Sequence, residues 1–317
     1  MSARGERPSG VGKDALALLA VLMGLVIAFS LATDRFLTAP TLRTIANQVP
    51  ELVIAAVGLT FVLLIGAIDL SVGSVMALSS AALGLALVKL GLGLAPASLL
   101  ALAVGAACGA VNGLLTVRLR LPSFIVTLGT MEMARGLTYL ATRSETVYVG
   151  ERVEGLAEAS VLGLSGPFLA SVALVAIAQL ALMRTVFGRH ATAIGTNEEA
   201  VRLAGIDPAP VKLAIFIGAG LLVGAAGIVY ASRLGAADPN AGIGFELQAI
   251  AAVVVGGTSL MGGRASVVGS FLGVLIIAVL GSGLAQAGAQ EPTKRLVTGA
   301  VIVAAVVADR FRRRRSA

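Results

Sequence analysis

Ten stretches of the chain carry almost no charged side chains, and this pattern constrains the fold more than any other feature. A helix that crosses a bilayer needs about 20 mostly apolar residues, and each stretch meets or approaches that length. In chain order they are 15–33, 52–68, 71–88, 90–117, 121–141, 159–183, 213–232, 247–263, 265–290 and 296–308. The last is short unless Lys294 and Arg295 extend outward from it. We therefore predict an all-α, polytopic membrane bundle of about ten transmembrane helices.

The composition agrees with one membrane domain rather than two soluble domains. Hydrophobic residues make up 57% of the 317 residues and charged residues 13%, whereas a soluble domain carries about 25% charged residues. The 39 glycines are typical of membrane helices that approach each other closely. The single cysteine, Cys108, excludes a disulfide framework.

The positions of lysine and arginine predict the orientation, because these residues concentrate in cytoplasmic segments. With a cytoplasmic N-terminus and ten helices, the inner segments hold fifteen of them and the outer segments eight. Both termini are then cytoplasmic. We predict a tail at 1–14, a transmembrane domain at 15–309 that includes a long inner loop at 184–212, and a basic tail at 310–317. The five arginines of the basic tail are expected at lipid headgroups rather than on nucleic acid.

The chain lacks the residue patterns that catalysis and nucleotide binding require. A phosphate-binding loop of the G-x-x-x-x-G-K-[ST] type does not occur, since the only Gly-Lys pair, Gly12-Lys13, is followed by Asp14. The chain has one histidine, His190, and a single histidine cannot form a histidine-based metal site or nucleophile constellation. We therefore predict no catalytic residues, no metal and no cofactor, and the sequence favours transport or conduction over an enzyme.

Three ionisable side chains lie at membrane depth: Asp69, Glu132 and Arg135. Charges in such positions are functional candidates by default. Glu132 and Arg135 are three residues apart on one predicted helix, so we expect an intramembrane ion pair between them. Three groups are few for a proton relay, which argues against a proton-coupled transporter.

The inner loop contains the signals of a short helix. Thr196 or Asn197 is suited to cap its start, and the acids Glu198 and Glu199 favour the positive end of the helix dipole. Gly205 provides the stop. A helix of about two turns is marginal in water on its own, so we expect it to dock on a partner, the alternative being a solvated connector. Glu199 and Arg202 share a face of this helix.

Four ordered motifs extend over nearly the whole chain. They are GAIDLSVGSVMALSS at 66–80, Asn112-Gly113 followed by LPSFIVTLGTMEMARG at 121–136, AIGTNEEAVRLAGI at 193–206 and AAVVVGGTSLMGGRASVVGS at 251–270. In content and order they resemble the permease subunits of bacterial ATP-binding-cassette importers, in the ribose/xylose/galactose branch.

The resemblance implies a set of partners. Such permeases pair as homodimers or heterodimers in the bacterial cytoplasmic membrane, bind two cytoplasmic ATPase subunits and receive a monosaccharide from an extracytoplasmic binding protein. ATP then binds to another chain, which fits the missing phosphate loop. Permeases of the same superfamily for branched-chain amino acids or nucleosides remain the alternative, as does, from another class, a proton-coupled secondary transporter.

The resemblance also assigns roles to residues. It implies an ATPase-coupling role for the loop residues Thr196, Asn197, Glu198, Glu199, Arg202 and Gly205. A second group forms a polar turn that satisfies a break between helices or lines the transport path: Asp69, Ser71, Gly73, Asn112 and Arg264. For Asp69 we favour the structural role, in which it caps the following helix; the path and coupling to the ATPase are the alternatives. Arg264 lies in a second Gly/Ser turn, at 256–270, that echoes the first.

Overall fold

The structure is a computed structural model that describes residues 11–33, 35–153, 160–161 and 163–316. Most of the predicted tail at 1–14 and the last residue of the 310–317 tail lie outside the described residues. The helices with described bounds are α1 (Val11–Ala32), α2 (Ala39–Gln48), α3 (Pro50–Leu64), α4 (Val72–Val88), α5 (Leu94–Arg118), α6 (Ser123–Thr142), α7 (Gly166–Arg184), α8 (Val186–Thr196), α9 (Glu198–Leu203), α10 (Ala209–Leu234), α11 (Phe245–Val255), α12 (Val267–Gln286) and α13 (Glu291–Ser316).

Each of the ten apolar stretches contains a helix, so the helical membrane fold is confirmed. Among the described residues, five helices are long and apolar enough to cross a bilayer by length and composition, namely α1, α5, α7, α10 and α12. A sixth span results if α2 and α3, which meet at a 45° bend, are counted together. The count of about ten spans therefore stays a prediction.

Two parts of the described structure differ from the sequence-based expectation. The stretch 247–263 forms only the 11-residue helix α11, which is about 16 Å long and too short to span alone. It ends at Gly256, and Gly257 follows with φ of 88°. Four two-residue strands were also not predicted: β1 (Val147–Tyr148), β2 (Ser160–Val161), β3 (Leu164–Ser165) and β4 (Ala236–Ala237). They form the antiparallel pairs β1–β4 and β2–β3.

Helix α3 is the centre of the bundle. Every residue of it except Phe61 is buried, because α10, α11, α12 and α7 pack around it. At one end its buried Glu51 accepts a hydrogen bond from Arg233 at 2.5 Å. At the other end Gly66, with φ of 73°, donates to the carbonyl of Leu63 and allows Ala67 to donate to Val62. This glycine-terminated pattern ends the helix and starts the predicted polar turn.

Glycines bring α5 and α10 into backbone contact. A Cβ atom added at Gly105 would overlap the carbonyl oxygen of Gly220, and one added at Gly220 would overlap that of Gly105. A Cβ atom added at Gly109 would overlap the carbonyl oxygen of Phe216 and lie 3.2 Å from the Cα of Gly220, both on α10. Small residues permit such close approach between membrane helices, so part of the glycine content is explained by this crossing.

We predict that Gly220→Val destabilises the fold, whereas Gly218→Val on the same helix does not. An added Cβ at Gly218 meets nothing within 4 Å. At position 220 the added side chain forces the two helices apart, which should lower the free energy of unfolding by about 1–3 kcal/mol. Thermal unfolding of the detergent-solubilised protein measures the difference. Equal midpoints for the two variants would contradict the close crossing.

Candidate functional site

Three segments from distant parts of the sequence meet where the predicted coupling loop contacts the bundle. They are the end of α3, the end of α8 and the turn that follows α11. The amide of Gly263 donates to the carbonyl of Leu64 at 2.9 Å. A Cβ atom added at Gly195 would overlap the Leu64 oxygen and lie 2.5 Å from the Gly263 nitrogen. A Cβ atom at Gly262 would lie 2.7 Å from the Gly195 oxygen and 2.9 Å from the Gly66 nitrogen.

We call this contact of Gly66, Gly195, Gly262 and Gly263 the glycine junction. Three of its members, Gly66, Gly262 and Gly263, also have φ between 73° and 85°, which residues with a side chain adopt only at a cost. The junction shows that the two Gly/Ser turns and the 184–212 loop lie on the same side of the molecule. Backbone touches backbone there, so α8 packs directly against the turn after α3.

The helix signals of the loop match the structure. Asn197 is the cap of α9, and its side-chain oxygen accepts from the Ala200 amide at 3.0 Å. Thr196, the other predicted cap, instead ends α8, where its hydroxyl donates to the carbonyl of Thr192 at 2.8 Å. Gly205 has φ of 80° and donates to Arg202 at 2.9 Å. The predicted left-handed stop is therefore present.

Glu198 connects α9 to the helix that follows. It accepts a hydrogen bond from Arg202 at 2.7 Å and one from Lys212 at 2.9 Å. Burial acts to raise the pKa of Glu198, but the hydrogen bonds and charges of Lys212 and Arg202 outweigh it and hold the pKa below its usual range. We call the pairing of Glu198 with Arg202 and Lys212 the Glu198 brace. Both contacts are formed at neutral pH and are lost only as the pH falls through that lowered pKa.

Arg202 has a partner that the sequence prediction did not name, because it pairs with Glu198 four residues away at 2.7 Å. Glu199 and Arg202, predicted to share a face of this helix, are both exposed. Their contact with a partner protein stays a prediction.

The outward face of α9 carries an apolar side chain that the sequence prediction did not single out. Leu203 is 81% exposed, while Val201 is buried and anchors the helix to the bundle. A cavity of about 900 Å³ lies beside it, between the turn at 65–67 and the start of α10. Its charged lining is mainly basic: Arg118, Arg120, Glu198, Arg202, Asp207 and Lys212. This surface is suited to dock a partner with an apolar pocket and acidic or polar groups.

The polar turn forms a buried hydrogen-bond chain. The Oδ1 atom of Asp69 accepts from the amide of Ser71 at 2.8 Å and from its hydroxyl at 2.6 Å. The Asn112 side chain donates to the Ser71 oxygen at 3.1 Å and accepts from Thr130 at 2.6 Å. All four residues are buried. Asp69, Ser71 and Asn112, grouped by the sequence, are thus brought together between α4, α5 and α6.

The details of this turn differ from a simple cap. Ser71, the residue before α4, makes no side-chain cap, and Asp69 binds Ser71 itself rather than an amide inside the helix. Two residues of α6 that were not singled out satisfy the remaining backbone: the Ile68 amide donates to Ser123 at 3.0 Å and the Leu70 amide to Thr127 at 3.1 Å. Ser123 and Thr127 both lie in the 121–136 motif, and this motif was the sequence feature that could have pointed to them.

Gly73 and Arg264 lie apart from that chain. A Cβ atom at Gly73 would overlap the Gly242 oxygen and lie 2.6 Å from the Glu246 carboxylate, so Gly73 provides a close contact with the loop before α11. Arg264 is exposed in the turn after α11, and its carbonyl accepts from the Ser259 amide at 2.9 Å.

The expected ion pair between Glu132 and Arg135 is not formed among the described residues. The Arg135 guanidinium donates instead to the carbonyls of Pro239 and Ala241 at 2.8 and 2.7 Å. Glu132 points away from the bundle and is exposed. The expectation was wrong because two fixed backbone acceptors in the loop after β4 hold the arginine.

Comparison with known proteins identifies the class that this fold and site define. Residues 41–306 match the family model described as the permease component of the branched-chain amino acid transport system. The chain therefore belongs to this family of membrane permease components, and its role is transport rather than catalysis.

Individual relatives cover almost the whole chain. The ribose import permease protein of Escherichia coli strain K12 is 38% identical over 92% of this chain and 92% of its own length. The ribose import permease protein of Bacillus subtilis strain 168 is 40% identical over 90% and 89%. An L-arabinose ABC transporter permease protein of Azospirillum brasilense is 35% identical over 93% and 87%. No solved structure gives a significant match.

We predict that Asp69→Asn retains most of the assembled protein and that Asp69→Leu does not. Asparagine keeps an oxygen acceptor for Ser71, whereas leucine leaves a buried amide and a buried hydroxyl without one, at a cost of about 1–3 kcal/mol. Recovery of folded protein from membranes is the measurement. If Asp69→Asn assembles normally yet abolishes transport, the negative charge itself is required and the structural role is refuted.

Proposed function

We propose that this chain is the membrane-spanning subunit of an ATP-driven importer that carries a monosaccharide delivered by an extracytoplasmic binding protein. The similarity to permeases for ribose import and L-arabinose transport supports the substrate class. ATP binds to two cytoplasmic ATPase domains on separate chains, and a second permease copy or a related permease completes the membrane unit.

The observation that carries the proposal is the construction of α9. Its start is capped by Asn197, its end is set by Gly205, and Glu198 braces it to α10. Leu203 projects from it as an exposed apolar side chain. A braced helix transmits a push from a partner, whereas a flexible loop would absorb it.

The route from α9 into the membrane follows from the glycine junction. Movement of the ATPase domains shifts α9 and, through Gly195 at the end of α8, presses on the end of α3 and on the turn after α11. Those two turns begin α4 and α12, which line the interior of the bundle. ATP hydrolysis is thereby linked to opening of the membrane path.

The charge distribution supports the orientation of the chain. α8 and α9 belong to the inner side, because inner segments hold the larger share of lysine and arginine. Both termini then lie in the cytoplasm, and the chain resides in the bacterial cytoplasmic membrane with its 310–317 tail at the lipid headgroups.

We predict that Leu203→Asp reduces association with the ATPase at least tenfold, while the volume-conserving Leu203→Met retains it. A charge placed on the apolar contact surface would be desolvated without a partner on binding. Co-purification of the ATPase with each permease variant is the measurement, and equal insertion of both variants into membranes is the control. Wild-type association of Leu203→Asp would mean that α9 is only a connector.

Reconstitution tests the proposed function as a whole. Proteoliposomes that contain the permease with its ATPase and a loaded binding protein should take up ribose, arabinose or fructose only when ATP is present on the cytoplasmic side. Liposomes with the permease alone should take up none. Uptake by the permease alone, driven by a pH gradient, would establish a proton-coupled secondary transporter and contradict the proposal.

A second candidate substrate class has one specific observation in its favour. The family description names branched-chain amino acid transport. Competition in the same proteoliposomes separates the two substrate classes, because excess leucine should leave monosaccharide uptake unchanged. ATP-dependent uptake of leucine would instead show that the substrate is a branched-chain amino acid.

A further inference from the structure

Glu132 occupies a position that the bundle alone does not explain. It lies near the middle of α6 on an outward stripe that we define as Ile125, Gly129, Glu132, Gly136 and Leu140. Exposed apolar residues flank this stripe, namely Phe124, Leu128, Met133 and Leu137. All five residues of this stripe are exposed. The opposite side of α6, which includes Thr130, Ala134 and Thr138, is buried in the bundle.

The Glu132 carboxylate gains no compensation from its own chain among the described contacts. Arg135, the nearest arginine in sequence, is held by the carbonyls of Pro239 and Ala241. An ionised carboxylate that faces lipid near the centre of a membrane helix is unfavourable, and such residues usually face a bundle interior or a water-filled cavity. The middle of the α6 stripe, where Glu132 lies, is therefore unsuited to contact acyl chains.

The outward face of α7 shows what a lipid-facing surface of this chain looks like. Between Leu169 and Met183 its exposed residues are all apolar: Leu169, Ala170, Val172, Ala173, Ala176, Ile177, Leu180 and Met183. The outward face of α6 differs from this surface by the carboxylate of Glu132 at its middle.

We propose that the α6 stripe borders the aqueous path through the membrane and that Glu132 accepts hydrogen bonds there from monosaccharide hydroxyl groups. A carboxylate makes charge-assisted hydrogen bonds with hydroxyl donors, which are stronger than neutral ones. Added Cβ atoms at Gly129 and Gly136 meet nothing within 4 Å, so the surface beside the carboxylate is open. This inference rests on the proposed function and adds to it a substrate-contacting residue.

The opposite wall of the path is a second permease copy. A two-fold axis that passes beside the stripe would place the same stripe of each copy opposite the other, where two carboxylates in a dry contact would repel each other. Water and sugar between the stripes remove that conflict and give the sugar an acceptor on either side.

Cysteine accessibility tests the position of the stripe. In a Cys108→Ser background, Glu132→Cys and Gly136→Cys should react with a small, charged, membrane-impermeant thiol reagent at least tenfold faster than Ile177→Cys, the control at similar depth on α7. Ribose or arabinose added to the reconstituted importer should slow the reaction of Gly136→Cys, which keeps Glu132. Glu132→Cys as unreactive as Ile177→Cys would overturn the inference.

Transport by charge-neutral variants tests the role of the carboxylate. Glu132→Gln should lower uptake of the transported monosaccharide roughly tenfold. The reason is that a hydrogen bond to a neutral acceptor is weaker than one to a carboxylate by about the free energy of a tenfold change in binding. Glu132→Leu should lower uptake further. The assembled complex should be recovered in wild-type amounts with both. Full uptake by Glu132→Leu would refute the substrate contact. If the wild-type importer takes up no monosaccharide at all, the proposed function is refuted instead.

Discussion

The backbone groups at the ends of broken helices must find hydrogen-bond partners inside the protein, and much of this structure depends on that constraint. Within a bilayer, no water is available to satisfy a freed amide. The turn after α3 is satisfied by Ser123 and Thr127 of α6. At the start of α12, the Gln179 side chain of α7 accepts from the amides of Val267 and Val268 at 2.8 and 3.1 Å. Side chains of neighbouring helices therefore lock each break in one conformation.

This locking gives the break regions a mechanical role. A turn held by three or four hydrogen bonds does not adjust freely, so a force on it moves the helices on either side. In the proposed coupling, the glycine junction would apply that force, since Gly195 touches both the end of α3 and the turn after α11. Polar satisfaction, needed for stability in the membrane, would then also supply the stiffness that the proposed coupling to an ATPase requires.

Sequence patterns predicted the local features and missed the non-local ones. Apolar stretches, the cap at Asn197 and the stop at Gly205 depend on neighbouring residues, and the structure has them. The grouping of Asp69, Ser71 and Asn112 rested on motifs, and these residues do meet. The carbonyl partners of Arg135, the Glu198–Lys212 brace and the cap from Gln179 join residues 14 to 106 positions apart. No periodicity or spacing signals such contacts, and the exposure of Leu203 depends on how α9 sits on the bundle.

The central claim is that the seat of α8 on the glycine junction links ATP hydrolysis to the membrane path. The most direct test is the ratio of monosaccharide-stimulated to basal ATP hydrolysis in the reconstituted importer with Gly195→Ala. The added methyl group collides with the Leu64 carbonyl, so we expect the ATPase to remain bound and the stimulation to fall at least fivefold. The exposed neighbour Ala193→Ser is the matched control and should keep the wild-type ratio. Full stimulation in Gly195→Ala, with normal ATPase binding, would contradict the account.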